Sequence, residues 1–180
     1  RRVERELVRS LRSLARGHVQ EIVDGTTVSR RHVEGANDAE TATSALYYTL
    51  LLAVRSLAGS LLGQSDSEEA IALCRRVQGL SRARSRGRTK ADLGPASSFA
   101  GPHHLASLLF AVIRSLEGGA LVTVPAPSGT DPRKWRKALQ GIASDRPYLW
   151  PNHRDAIDRG LLNTGVSAAV GFPTGAGKST

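Results

Sequence analysis

Ser167-Ala168-Ala169-Val170-Gly171-Phe172-Pro173-Thr174-Gly175-Ala176-Gly177-Lys178-Ser179-Thr180 is the stretch that decides how this chain is read. Its first six residues have the pattern of a buried strand, and that pattern runs directly into a loop holding two glycines, a lysine and hydroxyls. Glycine there lets backbone N–H groups turn inward around an anion, and a helix opening next points its positive end at the same charge. In a loop of this kind Lys178 reaches the β- and γ-phosphates of a nucleotide and Ser179 holds Mg²⁺ through its hydroxyl. Thr174, Gly175, Ala176 and Gly177 supply the cradle, with Thr180 behind them. The strict pattern G-x-x-x-x-G-K-[ST] has glycine where this chain has Phe172, so the match is to the variant that begins at Pro173. A glycine-serine linker contains Gly-Lys-Ser by chance, but rarely straight after an apolar strand. The expected ligand is ATP with Mg²⁺.

Working outward, the segment before that strand is Leu149-Trp150-Pro151-Asn152-His153-Arg154-Asp155-Ala156-Ile157-Asp158-Arg159-Gly160-Leu161-Leu162. Pro151 and Asn152 suit the first turn of a helix with Ala156, Ile157 and Leu161 facing inward. Taken with the glycine-lysine loop, Leu-Trp-Pro-x-x-x-x-Ala-Ile-x-x-Gly-Leu-Leu resembles the start of the first RecA-like domain of superfamily 2 (DEAD/DEAH-box) DNA or RNA helicases, nearest to the Ski-like and RecQ-like branches. The resemblance covers about residues 146 to 180. It implies ATP hydrolysis that drives two RecA-like domains along a DNA or RNA strand. It also implies that the acidic Mg²⁺ motif, the second lobe and the arginine finger follow Thr180, so that residues 1–180 are inactive alone. In that family a glutamine after the proline recognises adenine. His153 stands at the matching position, offering one donor and one acceptor where an amide offers more. Tyr148 or Trp150 would cover the base, or pack in a core.

The bulk composition agrees with a globular protein: 180 residues, 40% hydrophobic and 23% charged. The apolar stretch Ala45 to Val54 is interrupted by Thr49 and is shorter than the ~20 residues that span a bilayer. A single cysteine, Cys74, excludes an internal disulfide and fits a reducing cytoplasm. The net charge of +9 is carried by 21 Arg against 4 Lys, which suits a polyanion because guanidinium forks match phosphate. Coding bias toward arginine accounts for the same balance. The chain contains no methionine and stops where the loop's helix should open, so both ends read as truncations.

The remainder reads as helices. Val3, Leu7, Leu11, Leu14, His18 or Val19, and Ile22 form one stripe of a first helix ending near Asp24-Gly25. After a polar loop, Asp38 caps a second helix whose Leu46, Tyr47, Leu50, Leu51, Val54, Leu57 and Leu61 place it at the centre of a bundle. Ser65 with Glu68, or Asp66 with Glu69, opens a third through Ile71, Cys74, Val77 and Leu80. Arg82, Arg84, Arg86, Arg88 and Lys90 then read as a solvated loop or as a nucleic-acid contact. A fourth helix carries Leu105, Leu108, Leu109, Val112, Ile113 and Leu116 and stops at Gly118-Gly119. Ala120 to Val124 suits a strand or an extended connector. Thr130-Asp131-Pro132 starts another helix with Trp135, Ala138, Leu139 and Ile142 inward.

The expected organisation is mainly α. A helical N-terminal domain spans 1–124, a connector and helix 125–145, and the truncated start of a P-loop α/β domain 146–180. The rival reading is another P-loop ATPase, of the secretion, pilus or ABC type, with the helical region as a protein-docking module and no membrane segment. Arg12 and His18 share the spacing of the Arg-x-x-x-x-x-His signature of HEPN ribonucleases. That spacing arises easily among so many arginines, and a structural role for His18 is the plainer reading. His103-His104 have no ligand companions at metal spacing.

Overall fold

Apolar side chains cover most faces of the segment Asp38–Leu61 (α3), and the fold is arranged around it. Leu50, Leu51, Val54, Leu57, Ala58 and Leu61 are each at most 2% exposed. In the computed structural model, which describes residues 2–25, 28–82 and 99–165 together with Ser167, Ala169 and Gly171, α3 packs against α1 (Arg2–Ala15), α2 (Val19–Asp24), α4 (Glu68–Ser81) and α5 (Ala100–Gly119). Two further helices, α6 (Pro132–Ala143) and α7 (Pro151–Asp158), follow a 3-10 turn at Leu121–Thr123. The protein is mainly helical. Among the described residues the nearest thing to a sheet is one antiparallel bridge, Ala120 to Tyr148.

Local chemistry explains where each helix begins. Asn37, one residue before the expected cap Asp38, accepts the Glu40 N–H at 2.9 Å, and Glu40 reaches back to the Ala36 N–H at 2.9 Å. These reciprocal bonds satisfy donors that the first turn leaves free. Asp66 takes the Glu68 N–H at 3.1 Å to open α4, and the Ser67 hydroxyl donates to Glu117 near the end of α5. Asp131 caps α6 through the Arg133 and Lys134 N–H groups at 2.8 and 3.3 Å, with Pro132 at the first helical position as expected.

The structure corrects several expectations. The first helix is two helices: the stripe Val3, Leu7, Leu14, Val19 and Ile22 is buried, but the chain breaks at Gly17, whose φ is +79°. There the His18 N–H donates to Ser13 C=O at 2.9 Å and the Gly17 N–H to Leu14 C=O at 3.1 Å, a Schellman end that needs a left-handed residue. Within the polar loop Val28 is buried and Arg30–His32 forms a 3-10 turn. Leu80, Leu108, Val112 and Ile142 are 40–58% exposed, and Ala138 is also on the outside. Ala106 and Ala143 take the inward positions instead. Ala120 to Val124 is a bridge residue followed by a 3-10 turn, so the connector alternative holds and the strand does not. Helix α7 stops at Asp158, leaving Leu161 and Leu162 partly exposed.

Helix α3 is long and apolar enough to cross a membrane by length and composition, yet more than half of its most apolar window is buried inside the protein. Ala, Gly, Ser and Thr among its leucines let neighbouring helices approach, and the Arg55 guanidinium donates to Gly25 C=O at 3.3 Å. Its apolar faces are thus occupied by protein.

Candidate functional site

Residues 147–149 are anchored before α7 begins. The Leu121 N–H donates to Pro147 C=O at 2.9 Å, and the Leu149 N–H donates to Gly119 C=O at 2.7 Å. Pro147 is fully buried and lies beside Gly17, where an added Cβ would stand 3.6 Å from the proline Cδ. The Tyr148 hydroxyl donates to Leu14 C=O at 2.9 Å, on the last turn of α1. Burial pushes this phenol up to about 12 from an ordinary 10.0, so it remains a proton donor at any physiological pH.

From that anchor the chain turns into α7 with Pro151 at its first helical position and Trp150 just ahead of it. Arg154 holds the helix in place: its Nη1 donates to the Thr123 hydroxyl at 2.8 Å and its Nε pairs with Asp158 at 3.1 Å, one turn on. Arg159 and Asp155 form a second pair at 3.0 Å. At the far end Gly160, with φ +96°, closes a Schellman turn in which the Leu161 N–H donates to Ala156 C=O at 3.0 Å. Helix α6 is fixed against the same 3-10 turn, because Trp135 Nε1 donates to Val124 C=O at 3.0 Å.

These anchors surround a cleft of about 740 Å³. Leu116, Leu121, Ile142 and Pro147 give it apolar walls, and Tyr148, Trp150 and His153 line one side. Trp150 is 58% exposed, a large aromatic face open to solvent. Arg16, Arg146 and Asp145 sit at the lining as its charged groups. A flat, mostly apolar ring with polar edges suits such walls, and the two guanidinium groups suit an anionic substituent.

Three residues singled out in the sequence, Tyr148, Trp150 and His153, therefore line one cleft. Thr174, Gly175, Ala176, Gly177, Lys178, Ser179 and Thr180 lie outside the described residues, as do Phe172, Pro173 and the arginine run from Arg84 to Lys90. Most of the expected strand does too; Ser167, Ala169 and Gly171 are exposed and outside regular structure. Gly17, Arg16 and Arg146 line the cleft without having been singled out. A glycine inside a helical stripe was the available signal for Gly17. For the two arginines there was none, because they resemble every other surface arginine. Arg12 and His18 are both exposed, and His18 Nδ1 lies 3.4 Å from Glu21. Cys74 is buried in the bundle with its thiol pushed up to about 11 by desolvation, which makes it a core residue of low reactivity.

No family model matches this chain, and neither a curated protein nor a solved structure matches it.

Proposed function

We propose that the chain carries the ATP-binding opening of a superfamily 2 DNA or RNA helicase or translocase, behind a helical domain. The observation that carries this reading is the run Pro173-Thr174-Gly175-Ala176-Gly177-Lys178-Ser179-Thr180, where glycines, an ammonium and a hydroxyl stand at the spacing a triphosphate and its metal require. The cleft supports it. Its apolar walls and its aromatic side fit a purine ring, and the aromatic side, Tyr148 and Trp150 with His153, belongs to the segment that precedes such loops in the family.

In this reading the backbone amides of Thr174 to Gly177 wrap the phosphates, Lys178 neutralises the β- and γ-oxygens, and Ser179 ligates Mg²⁺. Tyr148 and Trp150 cover the base, and His153 bonds its edge with one ring nitrogen. ATP supplies the phosphoanhydride bond whose cleavage powers movement. Helices α1 to α5 serve as an accessory domain with room for a protein partner, and the lone buried thiol suits a reducing cytoplasm.

The test uses the protein extended by the motor sequence that this reading expects after Thr180. Lys178→Ala is expected to lower ATP hydrolysis about a hundredfold or more, through loss of a charge that the transition state needs. Unchanged turnover refutes the assignment. The same eight-residue run also suits a secretion, pilus or ABC ATPase. Turnover stimulated by single-stranded DNA or RNA selects the helicase, and indifference to both selects the rival.

A further inference from the structure

A second cleft, of about 660 Å³, is a groove between α3 and α4, closed on its third side by the turn that follows α2. Its lining from α3 includes Thr41, Ala45, Thr49 and Leu52, a stripe at intervals of about one turn. The eleven steps from Thr41 to Leu52 rise about 16 Å, three turns. Val33, Leu73 and Leu80, with the single aromatic ring of Tyr48, complete a mostly aliphatic floor, and Leu80 is left 58% exposed.

The charge on this groove has one sign. Arg30 lines it from the turn and Arg76 from α4, and no Asp or Glu belongs to the lining. Neither arginine has a carboxylate partner among the described residues. Glu40, the nearest acid along α3, is engaged with the Ala36 N–H. Two cations thus flank an apolar floor shaped like one side of a helix, with small residues, Ala45 and two threonines, allowing close approach.

We propose that this groove docks an acidic amphipathic helix of a protein partner. Apolar side chains at i, i+4 and i+7 of that helix cover Val33, Leu52, Leu73 and Leu80, and carboxylates along its flanks meet Arg30 and Arg76. Each half of the surface selects against another occupant. A nucleic acid matches the arginines, and Tyr48 offers it one ring, but the rest of the lining is aliphatic or small, whereas binding a single strand relies on successive aromatic platforms. A second copy of this chain, with 25 basic against 16 acidic residues, brings the wrong charge. The proposal stands apart from the nucleotide reading, since it uses none of the residues assigned there.

Fluorescence anisotropy with the full chain tests it, using a labelled helical probe of about twelve residues with leucines at i, i+4, i+7 and i+11 flanked by glutamates. A matched probe with lysine for glutamate and a single-stranded oligothymidine serve as comparisons. The glutamate probe is expected to bind about tenfold or more tightly than the lysine probe. Arg30→Glu combined with Arg76→Glu is expected to reverse that preference, which a merely unfolded variant would not do. Leu80→Glu, at a position 58% exposed and with the fold checked by circular dichroism, is expected to weaken the glutamate probe about tenfold. Equal binding of the two peptides, insensitivity to all three substitutions, or binding of oligothymidine alone would overturn the proposal.

Discussion

Gly17 sets both the end of α1 and the seat of the cleft, because its left-handed backbone turns the chain where Pro147 and Tyr148 pack. A methyl group at this position meets ordinary van der Waals distances, so the cost of Gly17→Ala lies in its φ of +79°. Denaturant unfolding is expected to show a loss of about 1–2 kcal/mol, and no loss would mean the turn is not held left-handed. Tyr148 supplies the other side of this junction. Its folded pKa of about 12 exceeds the free value of 10.0, so its stabilisation is fully present below pH 10 and fades as pH rises toward 12. Tyr148→Phe is expected to cost about 0.5–1.5 kcal/mol at neutral pH and to flatten that part of the alkaline unfolding curve. An unchanged alkaline slope would show that this phenol is not the group responsible.

Among the elements, α3 was legible from its apolar density because a helix that is hydrophobic on most faces has nowhere to go but the centre. Its start was misplaced by one residue, since Asn37 and Asp38 are both good caps and only the bond to Glu40 distinguishes them. Asn37→Ala is expected to lower stability by about 1 kcal/mol in thermal or urea unfolding, while Asp38→Ala, lacking that cap bond, should cost less. Equal losses would return the cap to Asp38. The break between α1 and α2 was invisible to periodicity, because Val19 and Ile22 resume a core-facing register after the turn. On α4 and α5, single leucines continue an apolar stripe beyond the area that neighbours cover, so Leu80, Leu108 and Val112 looked internal and are not. Sequence pattern reports that a residue is apolar, whereas burial depends on which helix lies opposite. The cleft was legible only in part for the same reason. Tyr148, Trp150 and His153 are close in sequence, but Arg16 and Gly17 reach them from the turn that ends α1.

Across the whole molecule, the bundle and the cleft share a border: α1 ends on the cleft wall, and the Tyr148 hydroxyl joins that end to the segment leading into α7. A ligand in the cleft would therefore touch the helical domain as well as the residues that precede the glycine-lysine loop. The net charge of +9 suits both proposals, an ATPase that works on a polyanion and a groove that takes an acidic helix. The nucleotide reading rests at this scale on one ammonium group and the amides around it. Isothermal titration of Mg-ATP into the protein extended by the lobe that the helicase reading expects after Thr180, beside the same protein carrying Lys178→Ala, measures that grip directly. Saturable binding at micromolar to submillimolar concentration is expected, weakened about tenfold or more by the substitution. Absence of binding to the unsubstituted protein, or equal binding by both, would contradict it.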